Sequence, residues 1–286
     1  MIDYDAHSWR EHLLDWRGSM LPQIGYRIGA VVLWAACVVW AFKSGHLVAV
    51  PTTIHVLIGF ALGLLLVFRT NASYDRFWEG RRLWGGMVNE TRNLARQSQQ
   101  WIAPTQPDLH RQLLQWLSAF AYASMHALRG TSGLGPVAAG LDASVLGQVT
   151  SAAHAPSAVA AKLSGILAQA RRQDAFSDVA QVAMDQNIQL LVDYIGGCER
   201  IHKTPLPFAY VVHLRRALIL YCFSLPFALV REFGWLTIPE VLGVAYVFFG
   251  IEEIGVQIED PFGVDDNDLP LEQICENISR GIQVFA

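Results

Sequence analysis

Apolar residues gather in four blocks, at positions 28–42, 54–68, 217–230 and 235–251, and the long stretch between the second and third is richer in polar residues. Each block holds about 14–17 residues, short of the ~20 that cross a bilayer unaided, so length alone also admits core helices. Three features favour a membrane. Arg27, Arg69, Arg215, Arg216 and Arg231 bracket the blocks, where their stems can snorkel to the interface. Trp16, Tyr26, Trp40, Phe42 and Trp235 crowd the ends as an interfacial belt. The blocks also fall in pairs with links at 43–53 and 231–234, as helical hairpins do. The pattern predicts four transmembrane helices.

Within the polar stretch, positions 109–128 carry Leu113, Leu114, Leu117, Phe120 and Ala121 at helical spacing, and 188–201 repeats the pattern. Positions 131–156 are rich in Gly, Ala and Ser and read as a loop or weak helix pair. No strand alternation persists. The fold class expected is an all-α membrane protein. Its parts are 1–70, an N-terminal interfacial helix with the first hairpin; 71–213, a cytosolic helical region; 214–251, the second hairpin; and 252–286, an acidic cytosolic segment. Arg10, Arg17 and Arg27 precede the first block, and the first link has only Lys43. The positive-inside rule then puts both termini and the middle region in the cytoplasm, in a multi-pass protein of the inner (plasma) membrane. The opening residues lack a basic region followed by an apolar run, so no cleaved signal peptide is expected.

Composition agrees. Hydrophobic residues make up 52% and charged ones 16%, against about 25% charged in a typical soluble domain. A mean hydropathy of +0.29 suits a membrane part joined to a substantial soluble part. The net charge of −4 offers no field to draw nucleic acid. Cys37, Cys198, Cys222 and Cys275 have no metal-ligand spacing, and the two in apolar runs, Cys37 and Cys222, read as small buried hydrophobes.

Phe60, Leu64 and Phe68 recur every fourth position, stacked about 6 Å apart on one helical face. Leu62, Leu65, Leu66 and Val67 make the other faces apolar too. Several copies around an axis would turn the three positions into hydrophobic rings able to gate a pore by dewetting; ordinary packing against neighbours explains the same spacing. Leu206 stands between Pro205 and Pro207, which force an extended or kinked backbone and push it outward, or simply mark a break between helices. Gln257, then Glu259, Asp260, Asp265, Asp266 and Asp268 with Pro261 and Gly263, could surround a hard cation such as Ca²⁺. They read equally as an acidic turn starting a helix at Pro270. In 71–82, Asp75 and Glu79 can pair with Arg76, Arg81 and Arg82 around a helix continuing the second block.

Four motifs together resemble the bestrophin family of ion channels, most closely its bacterial branch. They are Asp15-Trp16-Arg17-Gly18-Ser19, Val67-Phe68-Arg69 leading into Ser73-Tyr74-Asp75-Arg76-Phe77-Trp78-Glu79, Pro205-Leu206-Pro207-Phe208-Ala209-Tyr210, and Glu259-Asp260-Pro261-Phe262-Gly263 leading into Asn267-Asp268-Leu269-Pro270. The resemblance implies a homopentamer around one axial pore that conducts small monovalent ions across the lipid bilayer. It places a hydrophobic neck at Phe60, Leu64 and Phe68, a cytosolic aperture at Leu206, and a Ca²⁺ clasp at Gln257, Asp260, Asp265 and Asp268. Two departures stand out. Val264 and Asn267 interrupt the acidic run of the animal proteins, and Leu64 replaces an aromatic ring of their neck.

The neutral neck does not choose the sign of the ion. Family weight leans to chloride, and a monovalent cation channel of the same fold is the alternative. A membrane enzyme holding Mg²⁺ against a diphosphate through Asp265, Asp266 and Asp268, as prenyl transferases do, would need a second acidic cluster, and 71–75 supplies one acid.

Overall fold

The computed structural model describes residues 18–286. The expected N-terminal interfacial segment, with Arg10, Asp15, Trp16 and Arg17, lies outside them. The described residues hold nine α-helices and no strand: α1 Leu21–Lys43, α2 Thr53–Trp101, α3 Pro107–Leu128, α4 Ala143–Thr150, α5 Ala155–Arg172, α6 Asp178–Lys203, α7 Phe208–Phe233, α8 Thr237–Gln257 and α9 Leu271–Gln283. They divide into two compact units.

The first unit takes the described residues through Phe77, Pro205–Asp260 and Asp265–Asn267. Its core joins Val31 and Ala35 of α1, Leu62 and Leu66 of α2, Leu218 and Leu225 of α7, and Val241, Ala245 and Phe249 of α8. At one end Arg27, Arg69, Arg215 and Glu252 meet. At the other, the Lys43 ammonium lies over the Trp235 ring and the Val50 amide donates to the Phe227 carbonyl at 3.0 Å. α1 therefore runs alongside α7 and opposite to α8. Gly234, at φ +53°, turns the chain between α7 and α8, a conformation that a Cβ would strain.

This unit turns apolar side chains outward. Leu33, Trp40, Val56, Leu57 and Leu220 are all exposed. Leaving such side chains in water forgoes about 1.5–3 kcal/mol each, which is sustainable only where the surroundings are themselves apolar. Among the described residues, three helical stretches are long and apolar enough to cross a membrane: Leu21–Lys43, Thr53–Trp101 and Phe208–Gln257. The third is divided at Gly234–Leu236 into α7 and α8. Of the two cysteines expected to be buried, Cys222 is buried and Cys37 is exposed, because Cys37 falls on the face of α1 opposite Val31 and Ala35.

The second unit takes Trp78–Thr204, Pro261–Val264 and Asp268–Ala286. α3 is its centre, with Leu113, Leu117 and Phe120 sealed, and α5 and α9 pack against it. His110 on α3 is buried and fully used: Nδ1 shares a hydrogen bond with Ser98 Oγ at 2.8 Å and Nε2 with the Phe285 carbonyl at 2.7 Å. α5 is an element the spacing argument missed. Its alanines (Ala155, Ala158, Ala160, Ala161, Ala168, Ala170) blur the contrast between faces, although Val159, Leu163, Ile166, Leu167 and Ala170 do form its buried stripe. The Gly- and Ala-rich stretch before it folds as a 3₁₀ turn, Gly135–Gly140, and the two-turn α4, whose first N–H groups Asp142 caps through Ser144 at 2.8 Å. Burial pushes the Cys198 and Cys275 thiols up to about 12, so neither is a reactive centre at neutral pH.

Candidate functional site

α2 separates its apolar faces by burial. Leu62, Leu66, Arg69 and Ser73, at i, i+4, i+7 and i+11, are sealed inside the first unit. Phe60, Leu64 and Phe68 are 78%, 47% and 58% exposed. The regularly spaced stripe is thus not the one that packs within the chain. Spacing alone could not say so, because both faces are equally apolar.

Immediately after Phe68 the helix carries a buried charge. Arg69 was expected to snorkel to water; instead its side chain is 1% exposed and places Nη1 2.6 Å from Oε1 of Glu252, itself 2% exposed. Arg215 Nε donates to the same oxygen at 2.8 Å, and Arg27 Nη1 stands 3.4 Å from Oε2. Arg27 also reaches Glu253 at 3.0 Å. One carboxylate of α8 therefore ties α1, α2 and α7 together. Removing it would strand a buried guanidinium, which typically costs about 3–5 kcal/mol. The sequence does carry a signal for this group: the Glu252-Glu253 doublet directly follows the fourth apolar block, where a solvated end has no need of two acids.

Leu206 is half-buried rather than pushed fully outward, at a bend between α6 and α7. Its amide donates to Glu259 Oε1 at 2.9 Å. Oε2 of that carboxylate lies 3.7 Å from Arg69 Nη2, and the Glu259 carbonyl accepts from Arg76 Nε at 2.8 Å. Glu259 therefore links the residue following the exposed stripe to the backbone of Leu206. In the sequence it is one acid among several of the terminal run. Glu79, expected to pair around its own helix, reaches Arg200 of α6 at 2.6 Å.

The acidic turn is ordered by contacts of its own. Asn267 Nδ2 donates to Gln257 Oε1 at 2.6 Å and approaches the Gly18 carbonyl at 3.5 Å. In the second unit Phe262 is fully buried against Gly80, where an added Cβ would stand 3.0 Å from the ring, and Arg129 Nε donates to the Phe262 carbonyl at 3.1 Å. Arg129 also grips the Glu272 carboxylate through both terminal nitrogens. Asp260, Asp265 and Asp266 are exposed and Asp268 is buried. Among the described residues no three His, Cys, Asp or Glu side chains converge to hold a metal ion. Gln257, one of the expected Ca²⁺ ligands, accepts from Asn267 through its side-chain oxygen.

Comparison with known proteins gives the arrangement a context. A model of the bacterial/fungal Bestrophin protein family matches residues 1–284. A voltage-dependent anion channel-forming protein of Synechocystis is 39% identical over 278 residues, covering 96% of this chain and 91% of its own. The voltage-dependent anion channel-forming protein YneE of Escherichia coli K12 is 30% identical over 282 residues, covering 97% and 91%. Among solved structures, the crystal structure of a bacterial bestrophin homolog from Klebsiella pneumoniae superposes with a TM-score of 0.86 at 30% identity, covering 92% of this chain and 98% of that one.

Proposed function

The chain belongs to the bacterial/fungal Bestrophin family, and on that footing we propose that it is an anion channel, a homopentamer conducting small monovalent anions such as chloride along an axial pore. The observation that carries this reading is the split of α2: Leu62 and Leu66 are consumed in the subunit core, while Phe60, Leu64 and Phe68 are left outside it. Five copies of that outer stripe around an axis form three stacked apolar rings, a constriction that gates by dewetting. Leu206 forms the second constriction, at the cytosolic end, its backbone fixed by two prolines and Glu259.

In this reading α1, the first part of α2, α7 and α8 cross the inner membrane, with both termini cytoplasmic. The shared charged level of Arg27, Arg69, Arg215 and Glu252 supports that path, since it brings the N-terminal parts of α1 and α7 level with the C-terminal part of α8. The names of the relatives speak for an anion and for a channel rather than an enzyme. Ca²⁺ has no part in the reading. Flux through the purified protein in liposomes tests it: a chloride gradient should dissipate on voltage clamping by valinomycin and potassium, and impermeability to all monovalent ions would end the proposal.

A further inference from the structure

A cavity of about 370 Å³ opens between α1, α7 and α8 of the first unit, within the roughly 300–1,000 Å³ of small-molecule sites. Leu218 and Phe223 of α7 with Phe249 of α8 wall an apolar slot, and Arg27, Arg215 and Glu252 close its charged end. The lining therefore sets two guanidiniums against one carboxylate. They are not equally engaged. Arg27 is taken up by Glu252 and Glu253 through Nη1, and by the Tyr26 hydroxyl through Nε at 2.9 Å. Arg215 holds Glu252 through Nε alone; its side chain is 49% exposed, and among the described residues its two terminal nitrogens meet no acceptor.

We propose that this cavity binds an anionic phospholipid of the surrounding bilayer, one acyl segment in the slot and the head phosphate on the Nη1/Nη2 fork of Arg215. A planar guanidinium presents paired N–H groups that match two phosphate oxygens. A zwitterionic head would bring its own cation to a site that already has an excess of one. A free phosphate would leave the apolar slot empty. The site also lies at the right depth, because Arg27 and Arg215 stand near the starts of α1 and α7, where basic pockets between membrane helices meet head groups. The proposal needs only that the chain is a membrane protein, and fails or stands independently of ion flux.

The test is native mass spectrometry of the full-length protein in neutral detergent, titrated separately with dioleoylphosphatidylglycerol, dioleoylphosphatidylcholine and glycerol 3-phosphate. Phosphatidylglycerol should bind about tenfold more tightly than phosphatidylcholine, and glycerol 3-phosphate should not bind. Arg215→Gln should reduce the preference to below about threefold. Ile219→Trp, which fills the slot from a half-exposed position clear of the ion pairs, should abolish bound lipid while leaving the Tm of the protein unchanged. Equal binding of the two lipids to the parent, an unchanged preference in Arg215→Gln, or glycerol 3-phosphate binding as tightly as the lipid would each overturn the proposal.

Discussion

Arg69 and Glu252 form a fully buried ion pair, Nη1 to Oε1 at 2.6 Å, one residue beyond the exposed apolar stripe of α2. Desolvating two charges is costly, and the pair is tolerable because Glu252 receives two further arginines, Arg215 and Arg27. Its effect is to fix the rotation of α2. With Arg69 turned inward, Leu62 and Leu66 must also face in, and Phe60, Leu64 and Phe68 must face out.

That asymmetry predicts a ranking. Glu252→Ala strands a buried guanidinium whose next carboxylate, Glu259, is 3.7 Å away, and should cost about 3–5 kcal/mol. Arg215→Ala leaves Glu252 with Arg69 and Arg27 and should cost clearly less. Thermal unfolding in detergent measures both; a larger loss for Arg215→Ala would contradict the central place of Glu252.

Two leucines only two positions apart, Leu64 and Leu66, should behave oppositely. Leu66→Ala opens a hole in the unit core and should lose about 2–5 kcal/mol. Leu64→Ala should leave the subunit's stability near the parent's and raise single-channel conductance, because dewetting weakens as a constriction widens. Stability loss at Leu64 equal to that at Leu66, with unchanged conductance, would return the stripe to a packing role.

Much of this fold could be read from sequence, and the limits have physical causes. The apolar blocks and the helix of 109–128 stood out because length and periodicity report burial directly. α5 did not, because alanine serves on both faces. The inward and outward faces of α2 could not be told apart by hydropathy, since a membrane helix is apolar all round. The decisive residue was Arg69, and its partner Glu252 lies 183 positions away, beyond the reach of any local pattern. Likewise Glu259 looked like one of several acids until its contact with the Leu206 amide set it apart.

Gly80 carries a packing prediction. Its missing Cβ admits the Phe262 ring at 3.0 Å and Pro261 at 3.1 Å. Gly80→Ala must displace a fully buried ring and should destabilise by about 1–3 kcal/mol despite its better helix propensity. A neutral or stabilising result would mean that the turn at 261–262 is not held against α2.

His126 gives a pH dependence. Burial first, then the charge of Arg129, push its imidazole below the usual histidine range, against a smaller opposing pull from Glu272. A depressed value means that the unfolded chain binds the proton more readily. Stability is therefore full above about pH 6.5, the unfolded value, and declines as pH falls toward the folded one. Denaturation between pH 7.5 and 5 should show that slope, and His126→Gln should remove its share of it. An identical slope in the variant would assign the acid sensitivity elsewhere.

The most direct measurement of the central claim is ion flux through purified protein reconstituted in liposomes, with chloride and sodium gradients imposed in turn. Chloride permeation should exceed that of sodium, and the rate should rise when Phe68→Ala widens the innermost apolar ring. Sodium permeation exceeding chloride would reverse the selectivity, and liposomes as tight as protein-free controls would contradict the channel itself.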